Sequence, residues 1–278
     1  MEAPYTDKKG VMCVIACPLL ENELVHSLHA DAQSKRILLV DTEHASSIRR
    51  KLDAKGLSYE LISEDDFFTE RDHLDRSEYN VLILMNPLGL HSKPVVLKET
   101  VESQILRIGN SCDSIALYYG LCGNALWNPS EWARSRIDVP VSIFHGCDDK
   151  ICDDCVGVAV SGTSNYIRLL RKHTGQLFLI PAMAENWNRF FGEDTSRDAA
   201  KMMGMEPAEY TKWFFQFCGY EYACRIDTGL MDHDEFEYHT KDAADHLGLK
   251  LTSAEGFADM YSTDRMYEES KGALPDRS

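Results

Sequence analysis

No apolar run in these 278 residues approaches the ~20 needed to span a bilayer. Nor does the N-terminus have the charged-then-apolar order of a signal peptide, because the short run from Cys17 to Leu20 soon gives way to Glu21 and Glu23. The expectation is a soluble, cytoplasmic protein with no membrane contact. Basic residues are scarce, with 29 Lys and Arg against 45 Asp and Glu, for a formal net charge of −16. Such a surface repels phosphate backbones, which argues against nucleic-acid binding. The densest basic cluster, Arg168-Leu-Leu-Arg-Lys-His173, reads as the polar back of a helix. Three motifs are missing: the phosphate-cradling G-x-x-x-x-G-K-[ST] loop, a G-x-G-x-x-G opening a helix after a strand, and the G-x-S-x-G nucleophile elbow. The common nucleotide-binding and serine-hydrolase readings are thereby set aside. No low-complexity tract or linker divides the chain.

What is present is an ordinary globular composition, 44% apolar and 27% charged, with nine cysteines. An odd count argues against a complete disulfide framework and favours buried thiols or metal ligands in a reducing compartment. Apolar runs predict strands at 10–17, 36–41, 58–62, 79–86, 114–119, 139–145, 176–180, 222–227 and 249–253. Helical spacing fills most of the intervals. This alternation predicts an α/β fold: a mostly parallel sheet, or sheets, with helices on both faces. The repeated strand–cysteine pattern suggests two or three similar lobes around a cysteine-lined cleft. The expected domain runs over 10–261, with lobes at about 10–110 and 111–255, and 262–278 as a frayed polar tail. The aromatic residues of 185–219 read as core, as do Cys13, Cys112, Cys218 and Cys224.

Cys17, Cys122 and Cys155 each lie beyond a predicted strand and at or near a helix start. Backbone N–H groups and the helix dipole there favour thiolate. Three thiolates suit zinc or an iron–sulfur cluster and leave one position open for a substrate. Cys147, Cys152 and Cys155 also form a local C-x4-C-x2-C, reminiscent of ferredoxin-type loops, but four intervening aspartates are unusual beside a negative cluster. His145, closing a strand, reads as a structural residue before a ligand.

Five blocks occur in order: Ala16-Cys-Pro-Leu-Leu-Glu-Asn-Glu-Leu24, Tyr119-Gly-Leu-Cys-Gly-Asn124, Asp154-Cys155, Leu179-Ile-Pro181 with Glu185-Asn-Trp187, and Asp227-Thr-Gly-Leu230. On these the chain, over about residues 10 to 255, resembles the DUF1638 family of anaerobic bacteria and methanogenic archaea. Some relatives are similar to proteins encoded beside corrinoid-dependent methylamine methyltransferases. The resemblance implies anaerobic one-carbon metabolism as context and places the family's recurring cysteines on Cys17, Cys122 and Cys155. The chain departs from the family with Asp153 in place of the histidine of a His-Asp-Cys triplet, and with Pro181-Ala-Met-Ala184 in place of Pro-Gly-Trp-Ile.

The expectation is therefore a metal-thiolate enzyme with zinc on Cys17, Cys122 and Cys155, transferring methyl or a related group to or from a small-molecule substrate. Glu21 or Glu185 would move protons, Asn124 would orient substrate, and Gly120, Gly123 and Asp227 would line the cofactor site. His145, Cys147, Cys152 and Asp153 are the lesser ligand candidates. A [4Fe-4S] cluster on the same cysteines is one alternative. Another is a non-catalytic accessory protein that binds metal or corrinoid for a partner methyltransferase or corrinoid protein. A homo-oligomer is compatible with all three.

Overall fold

All seven residues of β1 (Gly10–Ala16) are buried, and their side chains alternate between two clusters. Val11, Cys13 and Ile15 enter one; Met12, Val14 and Ala16 enter the other. A strand with no solvent-facing side needs cover on both faces, which parallel sheets obtain from crossover helices. In the computed structural model, which describes residues 7–69, 74–109, 111–122, 125–126, 128–172, 174–254 and 260–277, β1 lies inside a six-stranded parallel sheet. Its companions are β2 (Arg36–Val40), β3 (Glu60–Ile62), β4 (Tyr79–Met85), β5 (Ser114–Tyr118) and β6 (Val141–Ile143), in the order β3-β2-β4-β1-β5-β6. The connecting helices are α1 (Glu21–Ala30), α2 (Ser46–Ala54), α3 (Glu64–Thr69), α4 (Pro94–Ile108) and α5 (Pro129–Arg134). Leu97, Val101 and Ile105 of α4 cover one face; Leu24 and Leu28 of α1, with Ile48 and Leu52 of α2, cover the other.

A second parallel sheet runs β7 (Gln176–Leu179), β8 (Tyr222–Ile226), β9 (Lys250–Ala254). Before it come α6 (Cys155–Ala159) and α7 (Thr163–Lys172), which pack Val156, Ala159 and Leu169 on one face. Between β7 and β8 lie α8 (Pro181–Glu185), α9 (Trp187–Phe191), α10 (Glu193–Met203) and α11 (Pro207–Phe217); α12 (His233–Leu247) follows β8 and covers the opposite face. All nine predicted strands are present. Among the described residues no helix is long and apolar enough to cross a membrane.

Three expectations need correction. The lobes do not divide near residue 110, because β5 pairs in parallel with β1 and β6 with β5, so the first sheet extends to Ile143. The expected frayed tail at 262–278 is not one over its described residues: α13 (Tyr261–Gly272) returns to the first sheet and buries Met266 and Tyr267 beside β1 and β4. Nor does the aromatic segment all go inside. Trp187 and Phe215 are buried, whereas Phe214 and Phe217 are 43% and 74% exposed and Cys218, which caps α11, is exposed too.

A buried charge pair ties α13 down. The Lys271 ammonium, 1% exposed, donates to Asp31 Oδ1 at 2.7 Å, and the Tyr267 hydroxyl donates to Asp31 Oδ2 at 2.8 Å. Removing Lys271 leaves the buried Asp31 carboxylate to the longer ion pair with Lys35, 3.7 Å from Oδ2, so Lys271→Met should lower unfolding free energy by about 3 kcal/mol in urea titrations; a loss below about 1 kcal/mol would show the pair to be dispensable. Burial works to raise the Asp31 carboxyl, but hydrogen bonds from Lys271, Tyr267 and the Gln33 N–H outweigh it and hold the group below its usual value. Its stabilisation is therefore full above the unfolded value of about 3.9 and is lost as pH falls through the lower folded value.

Candidate functional site

Because β1 and β5 are adjacent and parallel, the residues that follow them emerge at the same sheet edge. Ala16 pairs with Tyr118, and the Cys17 N–H donates to the Tyr118 carbonyl at 3.1 Å. Pro18 then opens a short 3-10 turn, Pro18–Leu20, that runs into α1. After β5 the chain passes Tyr119 and Gly120 to Cys122, whose φ of 50° is left-handed. Leu121 and Cys122 donate their N–H groups to the carbonyls of Cys152 and Asp153, at 2.9 and 2.7 Å. These bonds tether the loop that ends at Cys155, the first residue of α6. Asp154 caps that helix by accepting from the Gly157 N–H at 2.8 Å.

Gly120 is what allows this approach. A β-carbon there would lie 2.6 Å from Asp154 Cα, against backbone that cannot step aside. It packs the two loops together and also lines the cavity they form.

Cys17, Cys122 and Cys155 line one cavity of about 570 Å³, together with Asp154, Gln176 and a wall of aromatic side chains from β7, α7, α9 and the loops beside β5 and β8. Burial pushes the thiols of Cys17 and Cys122 up to about 12. A backbone N–H from Leu19 opposes the rise at Cys17, while the charges of Cys122 and Glu21 add to it; at Cys122 the addition comes from Asp154. Cys155 is raised further by burial, then by Asp154, Cys17, Cys122 and Glu23. The expectation that helix starts would favour thiolate is thus reversed, since desolvation outweighs the backbone dipoles. Among the described residues, no Lys, Arg or His lines the cavity, and no group of three His, Cys, Asp or Glu side chains is arranged to hold a metal ion.

The other expected residues lie elsewhere. Glu21 and Glu185 meet at the Lys51 ammonium, 2.7 Å from Glu21 Oε1 and 2.8 Å from Glu185 Oε2. Ser47 also donates to Glu21, and Arg50 to Glu185. Glu185, Lys51 and Asn22 line a separate cavity of about 550 Å³ beside Gly229 and Leu230. Two carboxylates held by one ammonium are poor proton carriers for the thiols. Asp227 accepts from the Gly229 N–H at 2.8 Å and shapes the turn after β8. His145 Nδ1 is 2.9 Å from the Ile143 carbonyl. Cys152 is fully buried in the core; Cys147 is exposed, with the Asn165 amide donating to its sulfur. Asp153 is exposed and accepts Cys122 through its carbonyl. Gly123 and Asn124 lie outside the described residues.

One carboxyl absent from the expected set is Glu23. It is 1% exposed, its Oε2 has no hydrogen-bond partner, and burial raises it to about 7. It adds to the rise at Cys155, which places an acid of near-neutral strength within electrostatic reach of that thiol. Asp154 was readable in the Asp154-Cys155 block; Glu23 was readable beside Glu21 as a carboxylate following Cys17, either a dipole partner of α1 or a base near the site.

The fold and site define a parallel α/β protein with a thiol-bearing cavity where two sheets meet. The chain belongs to the DUF1638 family, described as a protein of unknown function, whose model matches residues 85–261. Cys122 and Cys155 fall inside that match and Cys17 precedes it. No curated protein and no solved structure matches the chain.

Two measurements check the site. Gly120→Ala should cost about 3 kcal/mol in denaturant unfolding, through overpacking against Asp154; a neutral effect would show that the loops move apart freely. Glu23 is raised in the folded state, so it costs stability progressively as pH rises from its unfolded value of about 4.3 to about 7. Glu23→Gln should therefore raise the midpoint of thermal unfolding at pH 8 and change it little at pH 4.

Proposed function

We propose that the protein is a group-transfer enzyme whose chemistry is carried by Cys17, Cys122 and Cys155, with zinc as the ion they take. The supporting observation is the cavity's composition: three thiols from three strand-end loops, one carboxyl, and no basic side chain among the described residues. Groups that gain negative charge are gathered there without a partner, and a soft divalent cation supplies the missing charge. The donor set suits zinc in kind. It is not assembled at ligand spacing, so uptake requires the sulfurs to draw inward. When bound, zinc supplies a stabilised thiolate and a Lewis-acid position.

The chain's own residues set the rest. Thiols raised to about 12 must lose protons to bind metal, so affinity rises with pH through the neutral range. Glu23 is suited to accept one such proton. Asp154 and the Gly120 approach hold the Cys155 loop against the Cys122 loop. The narrower reading, methyl transfer in anaerobic one-carbon metabolism, rests on the family resemblance.

A second reading, an accessory protein for a corrinoid protein or methyltransferase, is favoured by α11. Tyr210 stacks on Phe214 and Trp213 on Phe217 along its surface, with Phe217 74% exposed. Exposed aromatic side chains of this kind recur at protein interfaces.

Metal and sulfide analysis of anaerobically purified protein tests the proposal. The expected result is about one zinc per chain and no visible colour, lost in each of Cys17→Ser, Cys122→Ser and Cys155→Ser. Full occupancy in all three variants would sink the site. Brown protein with about four irons and matching sulfide would replace zinc by a cluster. Absence of metal, with a stable stoichiometric complex and no turnover, would favour the accessory reading.

A further inference from the structure

The same cavity carries information about what enters it, independent of the ion. Its rings are Tyr119 just past β5, Tyr166 of α7, Phe178 of β7, Phe190 and Phe191 of α9, and Tyr220 just before β8. Aromatic faces are negative and attract cations, most strongly where water is excluded. The polar groups among them are also of one kind. Asp154 is a carboxyl that burial raises and the Gly157 N–H lowers. Gln176 Oε1 is a buried acceptor without a hydrogen-bond partner. The thiols are weak donors that become anions when they ionise. No ammonium, guanidinium or imidazole faces this set among the described residues. An anionic ligand would lose its hydration and gain no counter-charge, which costs several kcal/mol even after relaxation.

We propose that the cavity selects a small, largely apolar organic cation and rejects carboxylates and phosphates. This rests on the reading of the cavity as the reaction site, though not on which ion the thiols hold. The charge balance favours a cation either way. Without metal, Asp154 brings a carboxyl to the wall among the described residues, and the ring faces and Gln176 Oε1 are polarised in the same sense. With three thiolates on one divalent ion, the centre is itself net negative.

The test compares three probes of similar size on the full chain, namely benzyltrimethylammonium, benzyl alcohol and phenylacetate. Calorimetry is run on metal-free and on zinc-treated protein. The expected order is the cation at least about tenfold tighter than the alcohol, consistent with a desolvated cation–π and carboxylate site, and no binding of phenylacetate. Asp154→Asn keeps an oxygen for the Gly157 cap and removes the charge. It should cut the cation's advantage about tenfold while leaving the alcohol unchanged, as loss of one charge-assisted contact requires. Leu170→Trp, at a cavity position that is 43% exposed and tolerant of bulk, should block both probes. Phenylacetate binding as tightly as the cation, an unaltered ratio in Asp154→Asn, or no binding of any probe to the wild-type chain would each overturn the inference. Cation selectivity without metal uptake would keep this inference and sink the metal reading. Zinc uptake with no preference for charge would do the reverse.

Discussion

The site depends on one close approach, between the backbone at Gly120 and the backbone at Asp154. A β-carbon at residue 120 would sit 2.6 Å from Asp154 Cα, closer than β-carbons are found to other atoms. The approach lets Leu121 and Cys122 hydrogen-bond to Cys152 and Asp153, which joins the β5 loop to the loop that begins α6. The pairing of β1 with β5 then adds Cys17 to the same edge. Three cysteines spread over more than a hundred residues of chain share a cavity because strand pairing and one glycine bring their loops together.

Charge is sorted unevenly around this edge. Among the described residues the thiol cavity holds carboxyl and thiol groups without a basic side chain, whereas Lys51 and Arg50 are spent on Glu21 and Glu185 nearby. Desolvation therefore outweighs the backbone N–H groups that oppose it at Cys17 and Cys122 and keeps the thiols neutral. Neutral thiols in an apolar pocket are poor nucleophiles on their own. An incoming positive charge, metallic or organic, is the physical means of switching them on, and the proposed function and the proposed ligand class both follow from that single deficit.

The C-terminal helix shows how polar composition conceals structure. Residues 262–278 contain few apolar side chains, but Met266 and Tyr267 reach the core and Lys271 finds Asp31 240 positions earlier. A lysine is buried at 1% exposure only because a carboxylate from a distant segment meets it, itself held by the hydroxyl of Tyr267 one turn back on the same helix. On α11 the reverse holds: Trp213, Phe214 and Phe217 are dense enough to read as core, yet the helix turns much of them outward. Local hydropathy records how apolar a stretch is and leaves its neighbours unstated.

The nine strands, their alternation with helices and the strand-end positions of Cys17, Cys122 and Cys155 were legible in the residues themselves. Apolar runs that stop at glycine, proline or cysteine are local signals, and parallel strands buried on both faces write them strongly. The extent of the first sheet was not legible, because strand pairing is a long-range choice among nearly equivalent apolar runs. The same holds for the site's acids. Glu21, Glu23 and Asp153 all carry the same functional group near a cysteine in the chain. Only the fold gives Glu21 to Lys51, leaves Glu23 dry at about 7 and turns Asp153 to solvent. Sequence determined which chemical groups were available and at which ends of which strands. Tertiary structure decided which of them lost water and which gained a partner, because both depend on atoms contributed from elsewhere in the chain.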